Sequence, residues 1–228
     1  IDPLSAGSIE LIKGASTLRY GGDAIGGVIR VLPALFNDSS YTKISLLAKG
    51  ETNPNGGQIG LKVENHSKKL GLGHRLVVNT KRNGDAAASN YVLSNTGFAQ
   101  LSGSYYTQYI KGESQLSLTA SAFIQEIGIL AASHIGNVTD LNRALTSDTP
   151  LISRPFTYTI SPPSQRIQHY ASKLKWKHKS SKYGDIILSY TFQNNLRQEF
   201  DNHRGTSDAA LDLNLTTHQI NLLLDKHI

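Results

Sequence analysis

The sequence contains no cysteine, which excludes a disulfide framework and any thiolate metal site. That suits an exported bacterial protein, and equally many cytosolic ones. No run approaches the roughly 18 consecutive apolar residues of a transmembrane helix. Ile1-Asp2-Pro3 is not the charged start of a secretory signal, so Ile1 is expected not to be the natural start. The apolar share is below that of an average globular chain, while Ser, Thr, Asn and Gly are abundant.

Motifs of nucleotide chemistry and acyl transfer are missing too. The densest pattern is GASTLRYGGDAIGGVI, Gly14 to Ile29. A phosphate-binding loop needs Lys and then Ser or Thr after its last glycine, but Gly27 is followed by Val28. Gly21, Gly22, Gly26 and Gly27 do not space as a dinucleotide fingerprint opening a helix. Ser16 lacks the flanking glycines of a nucleophile elbow. The residue types predict a strand, a glycine-rich turn, a short helical turn and a second strand.

After Pro33 the texture changes to strict alternation. Ile44, Leu46 and Ala48 alternate with mostly polar neighbours, as do Ile59, Leu61 and Val63, then Leu116 to Ile124, then Ile186 to Phe192, with Leu47, Phe123 and Ile187 the apolar exceptions. A period of two is the signature of strands with one apolar face. Eight strands are predicted, near 42–52, 57–66, 73–82, 95–110, 114–127, 166–178, 184–198 and 210–227. In the last, apolar positions switch from odd to even, which predicts a bulge near Thr216-Thr217. The one convincing helical period is Val138 to Leu145, with Asn137 as its N-cap. Several strands exceed the usual five or six residues, which suits a large sandwich or a membrane barrel.

The connections discriminate between the two. Apart from the first hairpin at Asn53 to Gly57, short links (66–73, 111–114, 179–183) alternate with long ones (83–94, 128–165, 199–209). Transmembrane barrels show this asymmetry; a sandwich has no reason to. Tyr105, Tyr109 and Trp176 share faces with leucines near short turns, as an interfacial aromatic belt would. The net charge of +6 permits nucleic-acid binding. However, Lys173, Lys175 and Lys177 fall on a strand's polar face and other lysines in short turns, without a recognisable nucleic-acid module. The sequence thus predicts an all-β, antiparallel transmembrane β-barrel meander of about eight strands.

On that basis SIELIKGASTLRYGGDAIGGVIRVLP resembles the end of the plug domain of TonB-dependent outer-membrane receptors. The shared elements are Glu10, Gly14, Ser16, Tyr20, Gly21, Gly26 and Gly27. EIGILAASHIGNVTDLNRAL and SPPSQRIQHYASKLKW look like an outer loop and the following strand in receptors common in Bacteroidota. The resemblance implies that residues 1–35 end a plug and that residues 36–228 begin a barrel of about 22 strands. It implies import of a scarce nutrient, a ferric siderophore or other metal chelate, powered by TonB. It further implies outer-membrane lipid as surroundings, no catalysis and no cofactor. The start of such a plug and most of the strands are lacking, so the chain is expected to be a fragment. The alternative is a small closed eight-stranded barrel acting as an enzyme, adhesin or structural protein.

Candidate substrate contacts are His134, Arg143, Asp201 and His203, all in long connections. His134 suits a metal chelate and Arg143 an anionic ligand. No histidine pair has the close spacing of a metal-ligand set.

Overall fold

The computed structural model describes residues 5–20, 24, 26–133, 135–201 and 208–226. At the head, β1 (Ser8–Ile12) pairs antiparallel with β2 (Val28–Leu32), from Ser8↔Leu32 to Ile12↔Val28. Between them lies a 3-10 helix, Gly14–Tyr20. Its first turn is closed by hydroxyls, with Ser16 Oγ donating to Lys13 O (3.1 Å) and Thr17 Oγ1 to Gly14 O (2.8 Å). Gly27 shows what the glycines permit. Its φ is +128°, and a Cβ there would stand 3.1 Å from Ile12 O, so only glycine re-enters the hairpin without strain.

The predicted strands are all present as one antiparallel sheet. They are β3 (Tyr41–Glu51), β4 (Gly56–Ser67), β5 (Leu72–Asn83), β8 (Phe98–Lys111), β9 (Ser114–Gly128), β10 (Ser164–Ser180), β11 (Gly184–Phe200) and β12 (Leu211–Asp225). Each pairs with the next in chain order, β3 at one edge and β12 at the other. Among the described residues the two edge strands share no ladder, and the sheet is not closed into a barrel. A minor pair, β6 (Ala86–Ala87) and β7 (Val92–Leu93), lies in the connection after β5. The meander puts the connections 52–55, 84–97, 129–163 and 201–210 at one end of the sheet and the three short turns at the other.

Register sorts the side chains. One rung reads Phe192, Ser172, Ala120, Tyr105, Leu76, Val63, Ile44; the adjacent rung reads Thr191, Lys173, Thr119, Tyr106, Arg75, Glu64, Lys43. Directly opposed residues share a face, and successive residues alternate. Leu116, Leu118, Ile124, Ile186, Leu188, Leu222 and Leu224 therefore lie on one face, and Thr119, Lys173, Lys175, Lys177 and Gln193 on the other, as the alternation predicts.

The apolar face is open: Ile44 is 68% exposed, Leu46 73% and Leu222 66%. The polar face is the covered one. Among the described residues fourteen buried ones are polar or charged, against Ala24, Val77, Tyr106 and Ala131 among the apolar ones. The cover comes from the head and the segment after it. Phe36 stacks on His66 (5.4 Å between ring centres) and Tyr106 (5.7 Å). It packs over Gly73, where a Cβ would come within 2.5 Å of the Phe36 ring. The Arg75 guanidinium lies 4.9 Å from the centre of that ring and donates to Ala34 O at 2.8 Å. Its Nε and Nη2 each reach Glu64 Oε1 at 2.7 Å. His66 Nδ1 lies 2.7 Å from Ser39 O. Lys68 Nζ donates to Asp38 at 2.8 Å and holds that carboxyl below the usual carboxylate range.

Two expectations need correction. The ladder between β11 and β12 runs unbroken from Glu199↔Leu211 to Asp185↔Asp225, so there is no bulge at Thr216-Thr217. Leu211, Leu213 and Leu215 consequently stand on the polar face opposite Glu199, Arg197 and Asn195. As an edge strand, β12 packs against nothing that would offset the ladder bond a bulge sacrifices. The strand predicted from residue 95 begins instead at Phe98, because Asn95 adopts φ +65° and breaks the extended run. The helix forms as predicted: α1 (Val138–Thr146) is capped by Asn137, whose side chain accepts from Asp140 N at 2.8 Å.

The Arg75–Glu64 pair is buried, at 4% and 9% side-chain exposure. Removing one partner strands a buried charge, at a typical cost of about 3–5 kcal/mol. Glu64→Gln is expected to destabilise the full chain by about that much in a denaturant titration. Glu64→Gln with Arg75→Met should recover part of it, since no charge is then stranded.

Candidate functional site

Two regions of the fold gather polar chemistry: the covered face of the sheet and the end bearing the long connections. On the covered face the head contributes a small network. Arg30 of β2 bridges Glu10 (Nη2 to Oε2, 2.8 Å) and Tyr20 (Nη1 donating to the hydroxyl, 3.2 Å). Glu10↔Arg30 is a cross-strand pair of the hairpin, so the strand register brings them together. The structure thus unites two residues of the glycine-rich motif through a third that the sequence reasoning passed over. An arginine in an apolar strand, opposite a glutamate once the hairpin is recognised, was the available signal. Gly14 opens the 3-10 helix at φ +74°, and Gly26 has no neighbour that a Cβ would meet. Gly21 lies outside the described residues.

Between head and sheet is a cavity of about 450 Å³. Its roof is Ser5, Val31 and Pro33, and its floor is the polar face from β5 to β11, including Arg75, Ser121, His169, Lys173 and Gln193. Lys173, Lys175 and Lys177 follow one another along β10 on this face. Lys177 is ion-paired with Asp185, and Arg30 of the head is close enough to Lys175 for their charges to repel.

At the other region, three connections interlock. The centre is Asn95, buried and left-handed. Its Nδ2 lies 2.9 Å from each of the carbonyls of Ile129, Ser161 and Pro163, and its Oδ1 accepts from Ser161 N at 2.9 Å. One side chain thereby ties both ends of the 129–163 connection to the 84–97 connection. Ala131 N donates to Ser94 O (3.0 Å), Arg154 N to Ser94 Oγ (2.6 Å) and Asp85 N to Thr157 O (3.0 Å). Phe156 packs where a Cβ on Gly84 would stand. Tyr158 donates to Asn55 O at 2.7 Å, and Asn53 exchanges hydrogen bonds with the backbone of Ala87. Residues 52–55, 84–97 and 129–163 therefore form one fastened cap.

Within the 129–163 connection α1 stands free of this fastening. None of its residues is buried, and Val138, Leu141 and Leu145 are exposed. Arg143 is on α1, exposed, with Asp140 at 3.5 Å. Asp201 follows β11 at the same end of the sheet. His134 and His203 lie outside the described residues. The described residues contain no group of three or more His, Asp or Glu placed to hold a metal ion. His74, His178 and His218 are instead beside Tyr105, Trp176 and Tyr190 on the apolar face. Neither Asn95 nor Asp85 was singled out by sequence reasoning. The only signal was the turn-like composition of Ser94-Asn95-Thr96-Gly97.

Asn95→Asp would turn an amide donor into a carboxylate facing three carbonyls. With buried hydrogen bonds costing about 1–3 kcal/mol each when left unmade, the cap should detach. Limited proteolysis is expected to cut within 135–160 much faster in this variant, while the strands stay protected. Asn95→Gly keeps the backbone conformation and should fall between the two.

No protein-family model, curated protein or solved structure matches this chain.

Proposed function

We propose that the sheet is a stretch of the wall of an outer-membrane β-barrel, with residues 36–228 in the wall and residues 1–35 the end of a plug inside it. The chain would then belong to a receptor that imports a scarce nutrient with energy delivered by TonB. The resemblance of the glycine-rich head to such plugs favours this reading, and a ferric siderophore or other metal chelate is the substrate class it implies. TonB would act through a plug segment preceding this sequence.

The observation that carries the reading is the inversion of the molecule, polar within and apolar without. A soluble sheet buries its apolar face; this one covers its polar face and opens the other. The depth of the open face supports this reading. One rung near the short turns holds Leu188, Trp176, Leu116 and Tyr109, and the highest largely apolar one holds Leu196, Ile124, Leu101 and Ile59, with Gln168 and Thr80 between them. From Leu188 to Leu196 is about 27 Å of strand at roughly 3.4 Å per residue. A tilt of about 40° brings this to roughly 20 Å, close to the ~25 Å apolar band of such barrels. The next rung is polar, holding Gln198, Arg166, Glu126 and Arg82. Tyr109, Trp176 and Tyr190 cluster toward the short turns, where an aromatic girdle would meet the headgroups.

Both edge strands present unpaired backbone, which a hydrocarbon phase does not tolerate; further strands from a longer chain would pair them. The alternative closed eight-stranded barrel requires a β3–β12 ladder, which the described residues do not form. In the receptor reading the fastened cap faces outward, and the free part of its longest connection, with α1 and Arg143, meets substrate first. Asp201 belongs to the same proposed outer surface; His134 and His203 are proposed as substrate contacts from the sequence alone.

Trp176 is the single tryptophan and sits on the apolar face. In bilayers of brominated lipids its fluorescence should be quenched, most strongly with bromines near the headgroup end of the acyl chain. Emission as intense as in unbrominated bilayers would sink the membrane reading. In the full-length receptor, deleting residues 133–148 leaves the Asn95 anchors at Ile129, Ser161 and Pro163 in place. That deletion is expected to abolish substrate binding at the cell surface while barrel assembly persists. Undiminished binding would make the segment architectural.

A further inference from the structure

The cavity between the head and the sheet has a lining of one charge sign. Lys173 stands on its floor, and His169 and Arg75 also line it; among the described residues no carboxylate does. Among the described residues, the surrounding carboxylates are engaged by other cations: Glu64 by Arg75, Glu10 by Arg30 and Asp185 by Lys177. Lys173 and Lys175 are left without an ion pair among the described residues. They are two residues apart on one face, about 7 Å along the strand; Lys173 lines the cavity and Lys175 is the next residue on that face, with the Glu10-paired Arg30 near it. Gathering like charges beneath a cover is unfavourable unless something of opposite sign joins them.

The neutral lining has the same bias. The side chains of Ser104, Thr119, Ser121, Thr191 and Gln193 point to the covered face, and all five residues line the cavity. None makes a side-chain hydrogen bond among the described residues. Hydroxyl and amide groups serve as donors to an oxyanion, and ammonium–oxyanion bonds are the stronger, charge-assisted kind. The volume, about 450 Å³, falls within the usual range of small-molecule sites, roughly 300–1,000 Å³.

We propose that this cavity binds a small solute bearing carboxylate or phosphate oxyanions, held by Lys173 and Lys175 and oriented by the hydroxyls of Thr119, Ser121 and Thr191. The site is a property of the head and the sheet, so it stands or falls separately from the membrane reading. Trp176 quenching can fail with anion binding intact, and the reverse.

The test uses the full chain in whichever medium it folds, buffer or detergent micelles, with citrate and pyrophosphate as probes. Calorimetry should show saturable binding of at least one of them, and which one identifies the oxyanion. Lys173→Gln with Lys175→Gln should weaken binding about tenfold or more, as expected for losing two charge-assisted contacts. Lys173→Arg with Lys175→Arg should retain it within about threefold, and Lys111→Gln in a short turn should change nothing. A second measurement needs no variant. The bound probe should protect Lys173 and Lys175 from acylation by an amine reagent, read by mass spectrometry, while Lys111 and Lys179 stay reactive. Failure of both probes to bind, equal affinity in the glutamine variant, or unchanged labelling of Lys173 with probe bound would each overturn the proposal.

Discussion

The continuous antiparallel ladder from β3 to β12 is the constraint on which everything else depends. In a pleated strand the side-chain period is two, so one shared register across eight strands divides every residue into one of two faces. A shift of one residue in any strand would move its lysines into the apolar set and its leucines into the polar set. No shift occurs: the rung through Arg75 is polar from Thr191 to Lys43, and its neighbour through Leu76 is apolar or aromatic nearly throughout. Even β12, whose own pattern changes phase midway, stays in the ladder. Backbone hydrogen bonding outweighs side-chain preference at an edge where little packing depends on the face.

With the faces divided, the choice of which to cover follows from the head. The segment after β2 lays Phe36 against His66, Tyr106 and Arg75, and Gly73 supplies the space. An aromatic ring on a polar surface works here because Arg75 is already satisfied by Glu64 and by the carbonyl of Ala34, so its guanidinium can also sit against a π face. The cover makes the interior polar, and its charges must be matched inside. Most are matched, by Glu64, Glu10 and Asp185. Among the described residues Lys173 and Lys175 are the surplus; Lys173 lines the cavity that the cover leaves, and Lys175 follows it on the same face.

The end with long connections is held by a different means. Its residues have little regular structure, and the backbone groups that would otherwise be unsatisfied are met by side chains from neighbouring connections. Asn95 serves several carbonyls at once because a left-handed backbone turns its amide toward both ends of the 129–163 segment. The result is a fastened cap with a free helix at its tip: rigid support beneath, accessible residues above.

Sequence alone determined the strands, their faces apart from the first half of β12, the placement of long and short connections, and α1 with its Asn137 cap. These rest on local periodicity and on hydrogen bonds between near neighbours. Ile44-Leu46-Ala48 reads as a one-faced strand wherever it is placed. Only the tertiary structure decided that β12 keeps its register, that β8 starts after Asn95, that Arg30 joins Glu10 to Tyr20, and that Phe36 closes over Gly73. Each of these pairs residues through contacts whose value depends on what arrives from elsewhere in the chain. Asn95 and Ser161 are 66 residues apart, and nothing in the composition of either segment announces the other.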